Sequence, residues 1–339
     1  MNLASIATAL PEQSWTQREC WESMRDAPAM RALQPRSQDI LEGVLLGDSG
    51  IERRHFSTER LRDLLERDAQ DLNEKFEVEA VRLGARALKS ALAKANVGSV
   101  DALFVCTCTG YLCPGLSSHI AESAGLSRSA CLMDVTGAGC AAAIPTLRAA
   151  CNYLAVHPGH RAAVVAVEIC SAAFYVDDDP GVLISLCLFG DGAAAIVLDG
   201  NANGGWRFGD FRSLHLPAER EKIRFVNRGG KLCNQLHRTV PRVAAQAVKQ
   251  LYPGANGGGA PLILSHAGGR DVLGAIREQM PGHELAEAGE VLRACGNMSS
   301  PSVLFAAERA LAANGSTPDR LWLVSFGAGF ACHACSLER

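Results

Sequence analysis

The chain has 339 residues, 48% of them hydrophobic and 20% charged, with a formal net charge of −3. That length and apolar share suit one large domain or two fused halves. The near-balanced charge, with no long run of one sign, argues against a nucleic-acid binder, which carries a basic stripe.

The opening residues, "MNLASIATALPEQSW", lack a basic leader followed by a long apolar run. No stretch reaches the roughly 18 apolar residues of a membrane span. The expectation is a cytoplasmic chain without a membrane span. Thirteen cysteines are scattered through apolar segments such as "LFVCTCTGYLC" and "VAVEIC". Buried, reduced thiols fit that pattern better than a disulfide scaffold. The pair Cys332 and Cys335 in "ACHAC" is a lone C-x-x-C in a strand-like run, with no second pair at zinc-like spacing. No metal site is expected there.

In chain order, the three-and-four spacing of apolar residues predicts a helix over 77–97. "DALFVCTCTG" reads as a buried strand, "PGLSSHIAESAGL" as a helix and "ACLMDVTGAG" as a strand and turn. "CAAAIPTLRAACNYL" reads as a helix that tolerates Pro145 because the proline comes early. "RAAVVAVEIC" and "GAAAIVLDG" are predicted strands. After "GNANGGWRFG" the pattern restarts: a helix in "VPRVAAQAVKQLY", a strand and turn in "PLILSHAGG", a helix in "SPSVLFAAERALAANG". Two strands around a glycine turn close the chain in "RLWLVSFGAGFACHACSL". This is an α/β chain of two similar halves, 1–200 and 201–339, joined near residues 199–207.

Three segments place a reactive or polar residue where a strand or loop hands over to a helix. They are Cys140 in "GAGC", His266 in "LILSHAGG" and Asn297 in "CGNMSSPSV". A thiol at a helix mouth ionises more easily, and the thiolate is the nucleophile. Each residue also has a plain structural reading: a packed cysteine, a satisfied core histidine, an asparagine cap. Together, Cys and His supply an activated nucleophile, and His and Asn supply two donors for a developing oxyanion. That set suits acyl transfer through a thioester.

The order Cys, His, Asn, with "HAGG", "GNMSSPSV", "LFGDGAAA", "CTCTGYLCPG" and "FGAGF", resembles the type III polyketide synthases of the thiolase fold. The resemblance runs from "GIERRHF" to "SFGAGF". It implies a thiolase-like, layered αβαβα fold with the Cys in the first half and the His and Asn in the second. The implied reaction joins a starter acyl thioester to a malonyl thioester by decarboxylative Claisen condensation. Cys140 would carry the acyl group, while His266 would keep it ionised and, with Asn297, polarise the malonyl carbonyl. Phe189 would be a gate between tunnel and cavity, and Ser299 and Cys108 would line the cavity. Gly327 and Gly329 would shape a tight turn against the site. Cys113 would reach across a homodimer interface. No metal or redox cofactor is implied.

Three departures from the family pattern stand out. The stretch before "GIERRHF" reads "DILEGVLLGDSG", without the basic cluster that meets CoA phosphates in plant members. Arg53, Arg54 and Arg270 are the nearby cations, so the donor is acyl-CoA bound differently or an acyl carrier protein (acyl-ACP). An ungapped count from "TVP" puts Asn234 where the family has a second gating Phe. The chain is also shorter than plant members. Two alternatives stay open: a chain-initiating 3-oxoacyl-ACP synthase, and a non-catalytic thiolase-fold partner subunit.

Overall fold

The computed structural model describes residues 1–201, 204–254, 260–313 and 317–339. Val164 and Val165 are neighbours on one strand, so their side chains leave opposite faces of the sheet, and both are fully buried. A strand buried on both faces needs a helical layer on each side. That requirement sets the architecture.

The strands are β1 (Asn2–Ala9), β2 (Ser14–Thr16), β3 (Arg53–His55), β4 (Ala102–Cys106), β5 (Cys131–Val135), β6 (Arg161–Glu168) and β7 (Gly192–Asp199). They continue with β8 (Arg207–His215), β9 (Ile223–Arg228), β10 (Lys231–Leu236), β11 (Leu262–Ser265), β12 (Arg320–Gly327) and β13 (Ala331–Glu338). Nine of them form one sheet in the order β11-β12-β13-β8-β1-β7-β6-β4-β5. In the first half, β1 pairs antiparallel with β7, β7 antiparallel with β6, and β6 parallel with β4. In the second half, β8 pairs antiparallel with β13, β13 antiparallel with β12, and β12 parallel with β11. The same ladder is written twice, and the copies meet where Asn2 opposes Arg207.

One face of the first half packs on the long helix Ala69–Ala95, whose Phe76, Leu83 and Leu88 share a core with Val105, Val165 and Val197. The helix starts where the Asp68 side chain accepts the Asp71 N–H, and it ends with Asn96 in the left-handed region. It therefore begins at Ala69, earlier than the spacing of apolar residues predicts. On the other face lies the helix Ala143–Val156, which also touches β12 and β13 of the second half. Its Ile144, Leu147 and Leu154 share one core with Phe104, Val164, Leu323 and Cys335. This helix sits between the two halves and carries the residues just before it, including Cys140, to their junction.

Most predicted elements fall where the pattern puts them. The helix predicted from residue 140 divides into a 3-10 turn, Gly139–Ala141, and the α-helix. The helix predicted over 300–315 is Ser302–Ala312, and residues 314–315 lie outside the described residues. The features without a predicted counterpart include β1 and β8 at the centre of the sheet, the hairpin β9–β10, the helices Pro180–Leu188, Arg270–Gln279 and Ala286–Cys295, and an N-terminal cap of helices. The cap includes Gln17–Met24 and Pro35–Leu46 and packs over the helix Pro180–Leu188 through Leu41, Leu45, Leu183 and Leu186.

Candidate active site

Cys140 lies in the 3-10 turn, immediately before the helix Ala143–Val156. The turn is held against the end of β12 by close backbone contact. A Cβ on Gly327 would stand 2.6 Å from the Ala141 nitrogen and 2.9 Å from the Cys140 nitrogen, so only glycine fits there. Gly329 acts through its backbone: its φ of 111° shapes the turn that sets Ala328 against Gly139, while a Cβ on Gly329 would itself meet nothing of the Cys140 turn. His266 follows β11, and its N–H donates to the Val324 carbonyl at 2.9 Å. Its ring stands edge-on to Phe326, with centroids 5.3 Å apart.

Asn297 is fixed from both ends. The Ser299 N–H donates to its Oδ1 at 2.8 Å, and its Nδ2 donates to the Gly268 carbonyl at 3.3 Å. The backbone donor identifies the oxygen end, so the amide group with its second N–H faces outward as a donor. Ser299 adopts a left-handed φ of 60°. Its hydroxyl donates to the Cys140 sulfur at 3.2 Å, and the Cys108 sulfur lies 3.2 Å from the same hydroxyl.

Cys140, His266 and Asn297 line one cavity of about 440 Å³, together with Phe189, Phe326 and Arg270. A second space, about 20 Å³, is lined by Phe189, Ser299, Cys170, Phe225 and Asn234 among others. Phe189 borders both. The Asn234 Oδ1 is buried without a hydrogen-bond partner.

The electrostatics bear on how Cys140 could ionise. Burial pushes the Cys140 thiol up to about 12, against the pull of the Ser299 hydroxyl, and buried Glu168 pushes it the same way. The Cys140 N–H favours the thiolate but is outweighed. Burial alone lowers His266 to about 3, and its Nδ1 has no partner. The helix mouth alone therefore does not favour a thiolate: burial disfavours a lone charge on either group, and only a proton passed from one to the other keeps the pocket's net charge unchanged.

The cations also depart from expectation. Arg54 is buried and Arg53 donates to Ser14 at 2.8 Å, so neither lines the cavity. Arg270 does stand at the mouth, in ion pairs with Asp48 at 3.2 Å and Asp271 at 3.3 Å. Arg238 and His237 line the same mouth. Cys113 is an exposed thiol, and all thirteen cysteines are free. Cys332 and Cys335 are buried in β13, and among the described residues no group of His, Cys, Asp or Glu is arranged to hold a metal. Among the described residues no helix is long and apolar enough to cross a membrane.

A buried carboxylate beside the site also escaped the sequence reading, as did Phe326, His237 and Arg238 in the cavity lining. Glu168, fully buried, accepts hydrogen bonds from the Cys108 and Thr109 N–H groups at 2.9 and 3.1 Å and from the Ser300 hydroxyl at 2.6 Å. Burial raises its pKa while these donors lower it. Its signal was the lone acidic residue in the apolar run "RAAVVAVEIC".

A doubled α/β sheet with a thiol, an imidazole and a carboxamide gathered at the junction of its halves defines a thiolase-fold condensing enzyme. The fold superposes on 1,3,6,8-tetrahydroxynaphthalene synthase from Streptomyces coelicolor A3(2), a bacterial type III polyketide synthase. The TM-score is 0.85 over 100% of this chain and 99% of that one, at 24% identity. A family profile described as FAE1/Type III polyketide synthase-like protein matches residues 16–209. The chain belongs to that family: it is an acyltransferase that performs decarboxylative condensation. It is 29% identical to a 3,5-dihydroxyphenylacetyl-CoA synthase of Streptomyces toyocaensis, over 91% of this chain and 82% of that one. It is 28% identical to a 1,3,6,8-tetrahydroxynaphthalene synthase of Streptomyces peucetius subsp. caesius, over 97% and 90%.

Proposed function

We propose that the chain loads a starter acyl group from CoA onto Cys140 and extends it with malonyl-CoA, using His266 and Asn297 for the decarboxylation. The observation that carries this is the single cavity shared by all three side chains. A neutral resting pair would suit the first step. As the starter thioester arrives, the Cys140 proton passes to His266, so the pocket's net charge does not change. The thiolate attacks the thioester carbonyl, the C–S bond to CoA breaks, and the CoA thiolate takes the proton back.

His266 is then neutral again and holds an N–H for the next substrate. It and the Asn297 amide hold the malonyl thioester oxygen while carbon dioxide leaves, favouring the enolate. The enolate carbon attacks the acyl-Cys140 carbonyl, a C–C bond forms, and the Cys140 sulfur is released. Phe189 separates the loading cavity from the inner space where Ser299 and Asn234 would meet the growing chain. Cys108 lies behind Ser299.

A CoA donor fits the relative named for a CoA thioester product, and Arg238 and Arg270 stand at the mouth for its phosphates. A second reading takes malonyl-ACP instead, favoured by the acidic partners of Arg270. We also assign the halves to 1–200 and 201–339, since β7 ends at Asp199 and β8 opens at Arg207. A homodimer would cover the edge strand β5, where Leu132 and Met133 are 40% and 45% exposed, near the loop of Tyr111 and Cys113. A reducing, cytoplasmic setting fits thirteen free thiols.

The test is intact-protein mass spectrometry after incubation with a panel of acyl-CoAs. A mass gain that maps to Cys140 and vanishes in Cys140→Ala supports the reading. Unchanged product formation by Cys140→Ala overturns it. Loading from acyl-ACP but not from CoA esters selects the second reading.

A further inference from the structure

Arg54 is a fully buried cation whose hydrogen-bond partners are all neutral. Its Nη1 donates to the Leu186 and Phe189 carbonyls at 2.7 and 2.9 Å, and its Nε donates to the Gln17 Oε1 at 2.8 Å. The Gln17 amide in turn donates to the Cys187 carbonyl at 2.9 Å. The guanidinium lies over Phe56, 5.0 Å from the ring centroid, and Nη2 has no hydrogen-bond partner. A buried charge with no counter-charge destabilises a fold unless something compensates it. Here the compensation is the carbonyl end of the helix Pro180–Leu188, where the backbone carries partial negative charge.

That helix end runs straight into Phe189. Phe189 forms a parallel bridge with Asn297; the Gly190 N–H donates to the Asn297 carbonyl at 3.0 Å, and the Asn297 N–H donates to the Leu188 carbonyl at 2.9 Å. The Arg54 stem is packed behind this bridge. A Cβ on Gly296 would stand 2.8 Å from Arg54 Cγ and 2.8 Å from the Leu188 carbonyl oxygen. The Cys140 turn is held elsewhere, against Gly327.

We propose that Arg54 is a positioning residue for the condensation: it locks the backbone pair that places Asn297 and Phe189, and it reaches the nucleophile only at one remove, through the Ser299 hydroxyl. This rests on the role given to Asn297 above. Breaking the lock should then separate two activities that a purely stabilising residue would leave coupled.

The test compares full-length wild type with Arg54→Lys and Gln17→Met, at equal folded concentration and well below the melting temperature. In Arg54→Lys, malonyl-CoA decarboxylation is expected to fall about tenfold to a hundredfold, in kcat rather than KM. Acyl loading of Cys140 should stay within about twofold. Gln17→Met, a milder change, should show the same split at about threefold; it decides the matter if Arg54→Lys does not fold. Hydrogen exchange gives a readout independent of activity. Peptides over 186–191 and 295–299 should exchange faster in the variants, and a peptide over 138–143 should not. Equal losses in both activities, no loss in either, or unchanged exchange at 186–191 and 295–299 would overturn the proposal. A wild type that neither loads nor decarboxylates defeats the proposed function instead, and exchange alone then decides the lock.

Discussion

The two spaces on either side of Phe189 differ in size and in what lines them. The outer one, about 440 Å³, holds Cys140, His266 and Asn297 and opens past Arg270 and Arg238. The inner one, about 20 Å³, is lined by aromatic rings, Ser299 and Asn234. As it stands it is roomy enough for one water. Its Asn234 Oδ1 goes unpaired, which is costly for a group with nothing to bind. In the proposed function, bond making and chain accommodation fall to different walls, and Phe189 lines both spaces.

The largest effect that sharpens this division is expected from Asn297→Ala. It removes an outer-space donor, so malonyl decarboxylation should drop about 10²- to 10³-fold, while mass spectrometry still finds the acyl group on Cys140. Equal loss of both would mean that the outer space does not separate loading from decarboxylation. Gly327→Ala should do the opposite. Its Cβ would displace the Cys140 turn, so loading should fall about tenfold to a hundredfold. Gly329→Ala, which meets no part of that turn, should leave loading unchanged and lose about 1–2 kcal/mol through its backbone.

A pH experiment probes the pair of Cys140 and His266. Alkylation of Cys140 by iodoacetamide should vary little between about pH 5 and 9, because Cys140 and His266 share one proton over that range and the reactive form keeps the pocket's net charge unchanged. In His266→Gln the rate should climb about tenfold per pH unit, following a thiol pushed up to about 12. Stability follows from the same burial. His266 is lowered to about 3, so the unfolded chain binds a proton that the folded one refuses. Its contribution is present in full above the ordinary histidine value and is lost as pH falls toward about 3. Urea midpoints of wild type and His266→Gln should converge over that window. The smallest rate effect is expected from Phe189→Ala, which joins the two spaces. Loading should hold within about threefold, and the product spectrum should shift. An unchanged spectrum would show that Phe189 does not divide them in the working enzyme.

The strands of buried apolar runs were legible because both faces demand apolar residues. The three site residues were legible because each sits at a strand or loop end before a helix. β1 was hidden because "NLASIATA" is mostly small residues, and its place between β7 and β8 comes from pairing distant in sequence. The hairpin β9–β10 did carry a signal: Gly229 and Gly230, both at positive φ, turn between residues 228 and 231. Arg54 was illegible for a physical reason. "ERRH" reads as a solvated cluster, and only the carbonyls of a helix end more than a hundred residues later explain a buried guanidinium. The burial around Cys140, which opposes a lone thiolate, was illegible because it comes from packing between segments distant in sequence.

The short bridge between Phe189 and Asn297 has a consequence for anyone redesigning the product. Phe189 and Asn297, the proposed divider and oxyanion donor, share a backbone contact, so they are not independent dials. A loop graft that widens the inner space by moving residues 186–191 will carry the donor with it, trading chain length against turnover. Side-chain changes at Phe189 or Asn234 leave that contact in place and are the cleaner route to a new product.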